Sequence, residues 1–187
     1  MINPVMKKLL LALCGLVISS MAYSQNYYTG DTAQGQNVTY KCILQQHGEM
    51  IIVNSKNCSR ILRQPLCKNG QEVPPDYWKV ARTNDIDYSI LKSIFKDVLT
   101  AEKLAELKEK RSILLIPIVI EPTGRITEVG FIIPIPNDSP LTSISPDEYY
   151  QIEQQIKSKI WFTLDEHTRD TYQWISEIMW IDFEDLE

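Results

Sequence analysis

The stretch PIVIEPTGRITEV, residues 117–129, predicts an antiparallel β-hairpin at the centre of the fold. Apolar runs lie on both sides of Glu121–Gly124, which is the pattern of two strands joined by a tight turn. Proline sets φ at the second position of that turn, and glycine accepts the positive φ that follows. We therefore expect strands over residues 112–120 and 126–133. Pro117 lacks an N–H, so it should face away from a partner strand or lie at a bulge.

A helical pattern precedes this hairpin. Asp87 is placed to cap a helix whose apolar side chains recur with the helical period as far as Val98. Thr100 is a second candidate cap, which predicts either two short helices or one helix with a break. The almost wholly apolar strand that follows is typical of a strand in the interior of a sheet.

A capping box follows the hairpin, because Ser145 precedes Pro146 and stands three residues before Glu148. This combination predicts the first turn of a helix. Further along, residues 175–183 alternate between two sets of side chains, which predicts a final strand. The expected fold class is therefore α+β, with the order helix, strand, strand, helix, strand after a small N-terminal β-hairpin.

The first residues have the features of a secretory signal peptide. Lys7 and Lys8 precede an apolar run, and Ala22–Ser24 offers small residues at the positions that signal peptidase reads. We expect a signal peptide over residues 1–24 with cleavage before Gln25. The apolar run is shorter than the roughly 20 residues that span a bilayer, so no retained membrane span is expected. The predicted location is exported, either periplasmic or secreted.

Three segments are expected after this leader. Residues 25–39 are polar, rich in Gly, Gln and Asn, and without a period, which indicates a flexible lead-in. Residues 40–86 are expected to form a cysteine-bearing N-terminal extension, in which the runs VTYKCIL and EMIIVN are typical of a small hairpin. Residues 87–187 are expected to form the α+β domain itself.

Three cysteines remain after the leader. An exported protein enters an oxidising compartment, where cysteines tend to form disulfides. Cys42, Cys58 and Cys67 are therefore disulfide candidates, with one bridge and one remaining thiol expected and the pairing left open. The chain has 2 His and no Cys-x2-Cys pair. These features give no zinc pattern, and we expect neither a metal nor another cofactor.

Charge and motifs narrow the functional class. The net charge of −5 and the lack of a basic cluster exclude nucleic acids and anionic membrane surfaces as partners. The sequence also contains no phosphate-binding glycine loop, nucleophile elbow or His-Glu-x-x-His motif. Cys67, as a nucleophile, and His167, which stands among acids in LDEHTRD, leave a small exported enzyme as the alternative to a non-enzymatic binding module.

The segment from Ile113 to Phe183 resembles the carboxy-terminal domain of TonB, the periplasmic partner of outer-membrane transporters. The hairpin is similar to that family's apolar strand, its turn with an acid, a glycine and an arginine, and its return strand. The matching residues are Ile118, Ile120, Glu121, Gly124, Arg125, Ile126 and Val129. The helix of the family commonly ends in a Trp followed by an aromatic residue, as Trp161 and Phe162 do here.

The resemblance implies a sheet edge that accepts an extended partner strand through backbone hydrogen bonds. The candidate edge strand is the last one, with the site residues Ile175, Glu177, Ile178, Met179, Trp180 and Ile181. The tryptophans of the C-terminal third form a second candidate surface, an aromatic patch of Trp161, Trp174 and Trp180. The expected partner is an envelope protein or peptide, or a second copy of the chain in a homodimer.

Overall fold

The computed structural model describes residues 27–46, 48–57, 60–73, 87–134 and 139–186. In these ranges the chain forms an antiparallel sheet of six strands, in the order β1-β2-β3-β5-β4-β6, together with four α-helices. The strands are β1 Thr32–Gln34, β2 Thr39–Leu44, β3 Glu49–Asn54, β4 Ile113–Ile120, β5 Ile126–Pro134 and β6 Ile175–Asp182. The helices are α1 Tyr88–Val98, α2 Ala101–Glu109, α3 Pro146–Lys159 and α4 Glu166–Thr171, with short 3₁₀ turns at Pro140–Ser143 and Phe183–Asp185. The predicted signal peptide, Cys58 and residues 74–86 lie outside the described residues.

The hairpin of β4 and β5 is confirmed, and its turn explains the glycine. Gly124 has a φ of 83°, and its N–H donates to the carbonyl of Glu121 at 2.8 Å. A Cβ at this position would lie 1.9 Å from the backbone oxygen of Phe162. The Phe162 N–H in turn donates to the Gly124 carbonyl at 2.9 Å. The turn therefore packs against the chain that leaves α3, and only glycine fits there.

Pro117 is not placed as the sequence predicted. It lies in β4, which is an interior strand between β5 and β6, and it is opposite Ile178 of β6. On the other side, β4 keeps one register with β5 from Leu115↔Ile132 to Ile118↔Val129, and the register shifts beyond Pro117, between Val119 and Ile120. An interior strand has a partner on each side, so the missing N–H removes one ladder hydrogen bond, toward β5.

The predicted helix caps are confirmed, and they show that α1 and α2 are separate helices. Asp87 accepts a hydrogen bond from the Ser89 backbone N–H, and Thr100 accepts one from that of Lys103. Both halves of the capping box form at Ser145 and Glu148. Helices α1 and α3 pack on each other, and α3 packs against β5, over what we call the inner face of the sheet. The largest fully buried side chains between the helices and the sheet are Tyr40, Tyr149, Phe95, Phe131 and Phe183.

Residues 27–39 are not a flexible lead-in. Strand β1 pairs with β2, and Tyr28 is buried with its hydroxyl donating to the Ile144 carbonyl at 2.8 Å. The turn between β1 and β2 is held by Asp147 at the start of α3, whose carboxylate accepts from the backbone N–H groups of Gln36 and Asn37. The polar composition of this segment hides the few buried side chains that fix it to the rest of the fold.

The cysteine-bearing extension is not a separate unit either. Strand β3 pairs with β5 over Glu49–Val53, so the N-terminal hairpin and the hairpin of β4 and β5 belong to one sheet. No helix among the described residues is long and apolar enough to cross a membrane.

Candidate functional site

Strand β6 lies at one end of the sheet, and its described partner is β4 on one side alone. The N–H of Phe183, just after the strand, donates to the Ser112 carbonyl at 3.0 Å. Hydrogen-bonded and non-bonded pairs alternate along an antiparallel ladder. The odd-numbered residues of β6 therefore exchange hydrogen bonds with β4. The backbone groups of Ile178 and Trp180 are therefore directed away from β4.

Glu177 lies on the inner face at this part of the strand. Burial raises the pKa of its carboxyl, and the nearby backbone N–H of Ile178 acts in the opposite direction. Tyr88, the first residue of α1, lies next to this point. Burial and the Glu177 charge raise the pKa of its phenol, and its ring is centred 5.2 Å from that of Trp180.

The outer face of the sheet, opposite the helices, carries an apolar row that ends at this edge. The register places Ile43 opposite Ile51 and Ile51 opposite Ile132. It then places Ile132 opposite Leu115 and Leu115 opposite Trp180. One apolar side chain from each of five neighbouring strands thus stands in line. Trp180 is 52% exposed and Ile178, next to the row, is 54% exposed.

A loop covers the other end of the outer face. The backbone N–H groups of Arg60 and Ile61 both donate to the Glu128 carboxylate at 3.0 Å. The Arg60 guanidinium lies over the Trp174 ring, 5.4 Å from its centroid. Trp174, a member of the predicted aromatic patch, is only 7% exposed, whereas Trp180 is 52% exposed.

The predicted aromatic patch is not one surface. Trp161 is 55% exposed and stacks with Arg125, whose guanidinium is 5.4 Å from its ring centroid, at the turn of the central hairpin. Trp180 is near the far end of β6, about 17 Å from Ile175 at 3.3 Å per residue. Ile175, at the start of β6, is paired with Ile120 next to that turn. Trp161 therefore lies near the start of β6, and Trp180 lies near its end.

The residues considered for an enzyme lie near Tyr172. Cys67 forms a β-bridge with Tyr172, and the His167 ring is centred 6.4 Å from the Tyr172 ring. His167 is exposed on α4, and its Nδ1 is 3.5 Å from the Thr171 hydroxyl. In the described part of the chain, no three His, Cys, Asp or Glu side chains are grouped to hold a metal ion. Among the described residues, neither the Cys67 thiol nor the His167 ring is hydrogen-bonded to a base or an acid.

The predicted disulfide is not formed by the two cysteines that the structure describes. Cys42 and Cys67 are both half-buried free thiols, and Cys58 lies outside the described residues. Burial raises the pKa of the Cys42 thiol to about 11, so it stays protonated at neutral pH. A protonated, half-buried thiol on the inner side of β2 acts as a small apolar side chain.

Glu153 is a buried acid that the sequence pattern did not reveal. Its carboxylate accepts hydrogen bonds from the Tyr40 hydroxyl at 2.9 Å and from the amides of Asn54 and Asn57. Lys157, one turn later on α3, forms an ion pair with it at 2.6 Å. These donors satisfy the carboxylate, so the cluster ties β2 and β3 to α3. The only signal in the sequence is that an acid occupies a position of the apolar stripe of the helix.

Comparisons with known proteins bear on the fold. No family model matches the chain, and a search of curated proteins found no match. Among solved structures, the crystal structure of a DUF5043 family protein from Bacteroides uniformis ATCC 8492 superposes with a TM-score of 0.68. The sequence identity is 19%, over 84% of this chain and 87% of that chain. At this identity the likeness concerns the fold alone.

Proposed function

We propose that this protein is a non-enzymatic binding module that takes up an extended protein segment along the open edge of β6. The observation that carries the proposal is the combination of outward backbone groups and exposed apolar side chains at Ile178 and Trp180. Strand addition uses these two features together, because backbone hydrogen bonds supply affinity and alternate side chains supply specificity. The resemblance of residues 113–183 to the TonB carboxy-terminal domain supports the same mode of binding.

We further propose that the protein acts in the cell envelope after export. The support is the leader of residues 1–24, with its basic start, apolar run and small residues before Gln25. Fractionation of expressing cells followed by N-terminal sequencing tests this point. A mature chain that begins at Gln25 in the periplasm or the medium is the expected result. An uncleaved chain in the cytoplasm would overturn it.

The binding proposal is tested by selecting displayed ten-residue segments on the full mature chain. The Ile178→Pro variant serves as the matched control, since proline at this position removes an N–H that is directed away from β4. We expect segments enriched by the parent protein to lose at least tenfold in affinity for the variant. Circular dichroism and a thermal melt of the variant establish that it is folded.

Hydrogen exchange then locates the bound segment. The amides of Ile178 and Trp180 should exchange rapidly in the free protein and become protected in the complex, because the added strand accepts from them. The amides of Met179 and Ile181 should be protected in both states, since they are bonded to β4. Enriched segments that bind the folded variant equally well, or that protect another strand, would overturn the proposal.

A further inference from the structure

We propose that Asn69 is a modification site, at which the chain converts its side-chain amide to aspartate and isoaspartate, and that the isoaspartate loosens the hairpin of residues 66–72. This inference is independent of the proposed function. It follows from the pair Asn69–Gly70 at an exposed tip and from the hydrogen bonds around that pair.

A tight turn brings the reacting groups together. The Cys67 N–H donates to the Gln71 carbonyl at 2.9 Å, and the Gly70 N–H donates to the Cys67 carbonyl at 2.9 Å. Gly70 has a φ of 82°, as expected for the glycine that closes a three-residue hairpin loop. Asn69 and Gly70 are both exposed. The asparagine amide and the next backbone nitrogen therefore lie together at the tip, in contact with water.

The reaction needs only this pair and water. The Gly70 nitrogen attacks Cγ of Asn69 and forms a cyclic imide. The bond between Cγ and Nδ2 breaks, and Nδ2 leaves as ammonia with the proton that the Gly70 nitrogen gives up. Water then opens the imide at one of its two carbonyls. Opening at Cγ gives aspartate, and opening at the backbone carbonyl gives isoaspartate, in which the backbone runs through Cγ.

Glycine leaves the attacking nitrogen accessible. A side chain on the residue after an asparagine covers that nitrogen, and glycine has none. Among the described residues, no atom lies within 4 Å of the position that a Cβ would take at Gly70. The Gly70 N–H must leave the Cys67 carbonyl before the attack. That bond lies at the exposed tip of a short hairpin, where local opening costs little free energy.

Gln71 assists at the other reacting group. Its backbone N–H donates to Oδ1 of Asn69 at 3.0 Å. Negative charge develops on this oxygen when the nitrogen attacks Cγ, so the donor stabilises the tetrahedral intermediate. The Asn69 Nδ2 donates to Oε1 of Gln71 at 2.9 Å, which fixes the orientation of the amide beside its own backbone.

The hairpin is attached to the segment that leads into β6, which gives the modification a structural effect. The Lys68 N–H donates to the Thr171 carbonyl at 2.8 Å, and the Gln173 N–H donates to the Leu66 carbonyl at 2.8 Å. Isoaspartate adds one carbon to the backbone of the loop, so the turn and both attachments no longer fit together. Ordinary aspartate adds the same charge without lengthening the backbone.

Ageing of the full mature chain tests the site. The protein is kept at body temperature and mildly alkaline pH, and digests are mapped by mass spectrometry at intervals. Asn37 is the internal control, because it is also exposed but precedes Val38, whose branched side chain covers the next nitrogen. Asn69 should lose its amide at least about tenfold faster than Asn37, and Gly70→Ala should slow this loss by a similar factor. Loss at Asn69 no faster than at Asn37, or unchanged in folded Gly70→Ala, would overturn the proposal.

Hydrogen exchange tests the effect on the hairpin. Anion exchange separates the aged protein from the unmodified protein, because loss of the amide adds a negative charge. Asn69→Asp carries this charge on a normal backbone and is the matched control. The amides of Lys68 and Gln173 should exchange several times faster in the aged protein than in Asn69→Asp, which should match the parent. Equal exchange in the aged protein and Asn69→Asp would show that the isoaspartate does not loosen the hairpin, and would overturn that part of the proposal.

Discussion

The two edges of the sheet are protected in different ways. At one edge, β1 has three residues, its exposed side chains are polar, and its turn is bound by the Asp147 carboxylate. At the other edge, β6 has eight residues and exposes Ile178 and Trp180. Short, tied and polar edges resist the addition of another strand, whereas long apolar edges invite it. Among the described residues, β1 is therefore the short, polar end of the sheet and β6 is the long end with exposed apolar side chains.

The sharpest test of this contrast compares proline at two neighbouring positions of β6. Met179→Pro should lower the free energy of unfolding by about 5 kcal/mol, because it removes a ladder hydrogen bond and a buried side chain. Ile178→Pro should change it by less than about 1 kcal/mol, since the lost N–H is directed away from β4. Urea denaturation followed by tryptophan fluorescence measures both. Equal losses would mean that β6 is not an edge.

The second test concerns the anchoring of β2 and β3 beside the closed edge. Glu153→Ala should cost about 3–5 kcal/mol, because Tyr40, Asn54 and Lys157 lose a buried charged partner. Gln154→Ala, at the next and exposed position of α3, is the matched control and should be nearly neutral. The same denaturation experiment reports both values. An unchanged free energy of unfolding in Glu153→Ala would show that the cluster does not stabilise β2 and β3.

A smaller effect is expected at the attachment of β1 itself. Asp147→Ala should cost about 1–2 kcal/mol, because backbone N–H groups of Gln36 and Asn37 lose a charged acceptor. Hydrogen exchange should become faster in Thr32–Gln34 and remain unchanged in β6. Asp147→Asn keeps one acceptor oxygen and should lose less. Unchanged exchange in β1 would mean that pairing with β2 alone holds the closed edge.

The elements predicted correctly are those whose determinants are local. The capping box at Ser145, the caps at Asp87 and Thr100, and the turn at Gly124 each depend on residues a few positions apart. The alternation of the last strand likewise separates Met179, which is buried, from Ile178, which is exposed. The residues that form each of these patterns are close together in the sequence, so the pattern can be recognised without knowing the fold.

The features that the sequence did not predict depend on contacts between distant parts of the chain. Strand β1 is held by Asp147, more than 100 positions away, and its polar composition carries no sign of that bond. The pairing of β3 with β5, which joins the N-terminal hairpin to the main sheet, has no local pattern either. Glu153 was missed because an acid in an apolar stripe finds its donors on other strands. The apolar row on the outer face likewise needs the register of five strands.

The smallest expected effect tests the electrostatic cost of burying the Glu177 carboxyl in β6. Burial raises the pKa of Glu177 above its usual 4.5, so its neutral form is favoured in the folded protein. The resulting stability is present below the unfolded-state pKa and is lost as pH rises through the folded-state value. Glu177→Gln, which keeps the size of the side chain and removes its charge, should match the parent near pH 4 and exceed it at pH 7. The gain should be only a few tenths of a kcal/mol, because the carboxylate is still partly solvated.

Glu102 provides a control of opposite sign for this last measurement. Its pKa is lowered by its own backbone N–H and by the Thr100 hydroxyl at the start of α2. Its contribution to stability is therefore present above the unfolded-state pKa and is lost as the pH falls. Glu102→Gln should be less stable than the parent at pH 7, with the difference closing toward low pH. If both variants shift stability in the same direction, the effect at Glu177 reflects the net charge of the protein and not the burial of a carboxylate at the open edge.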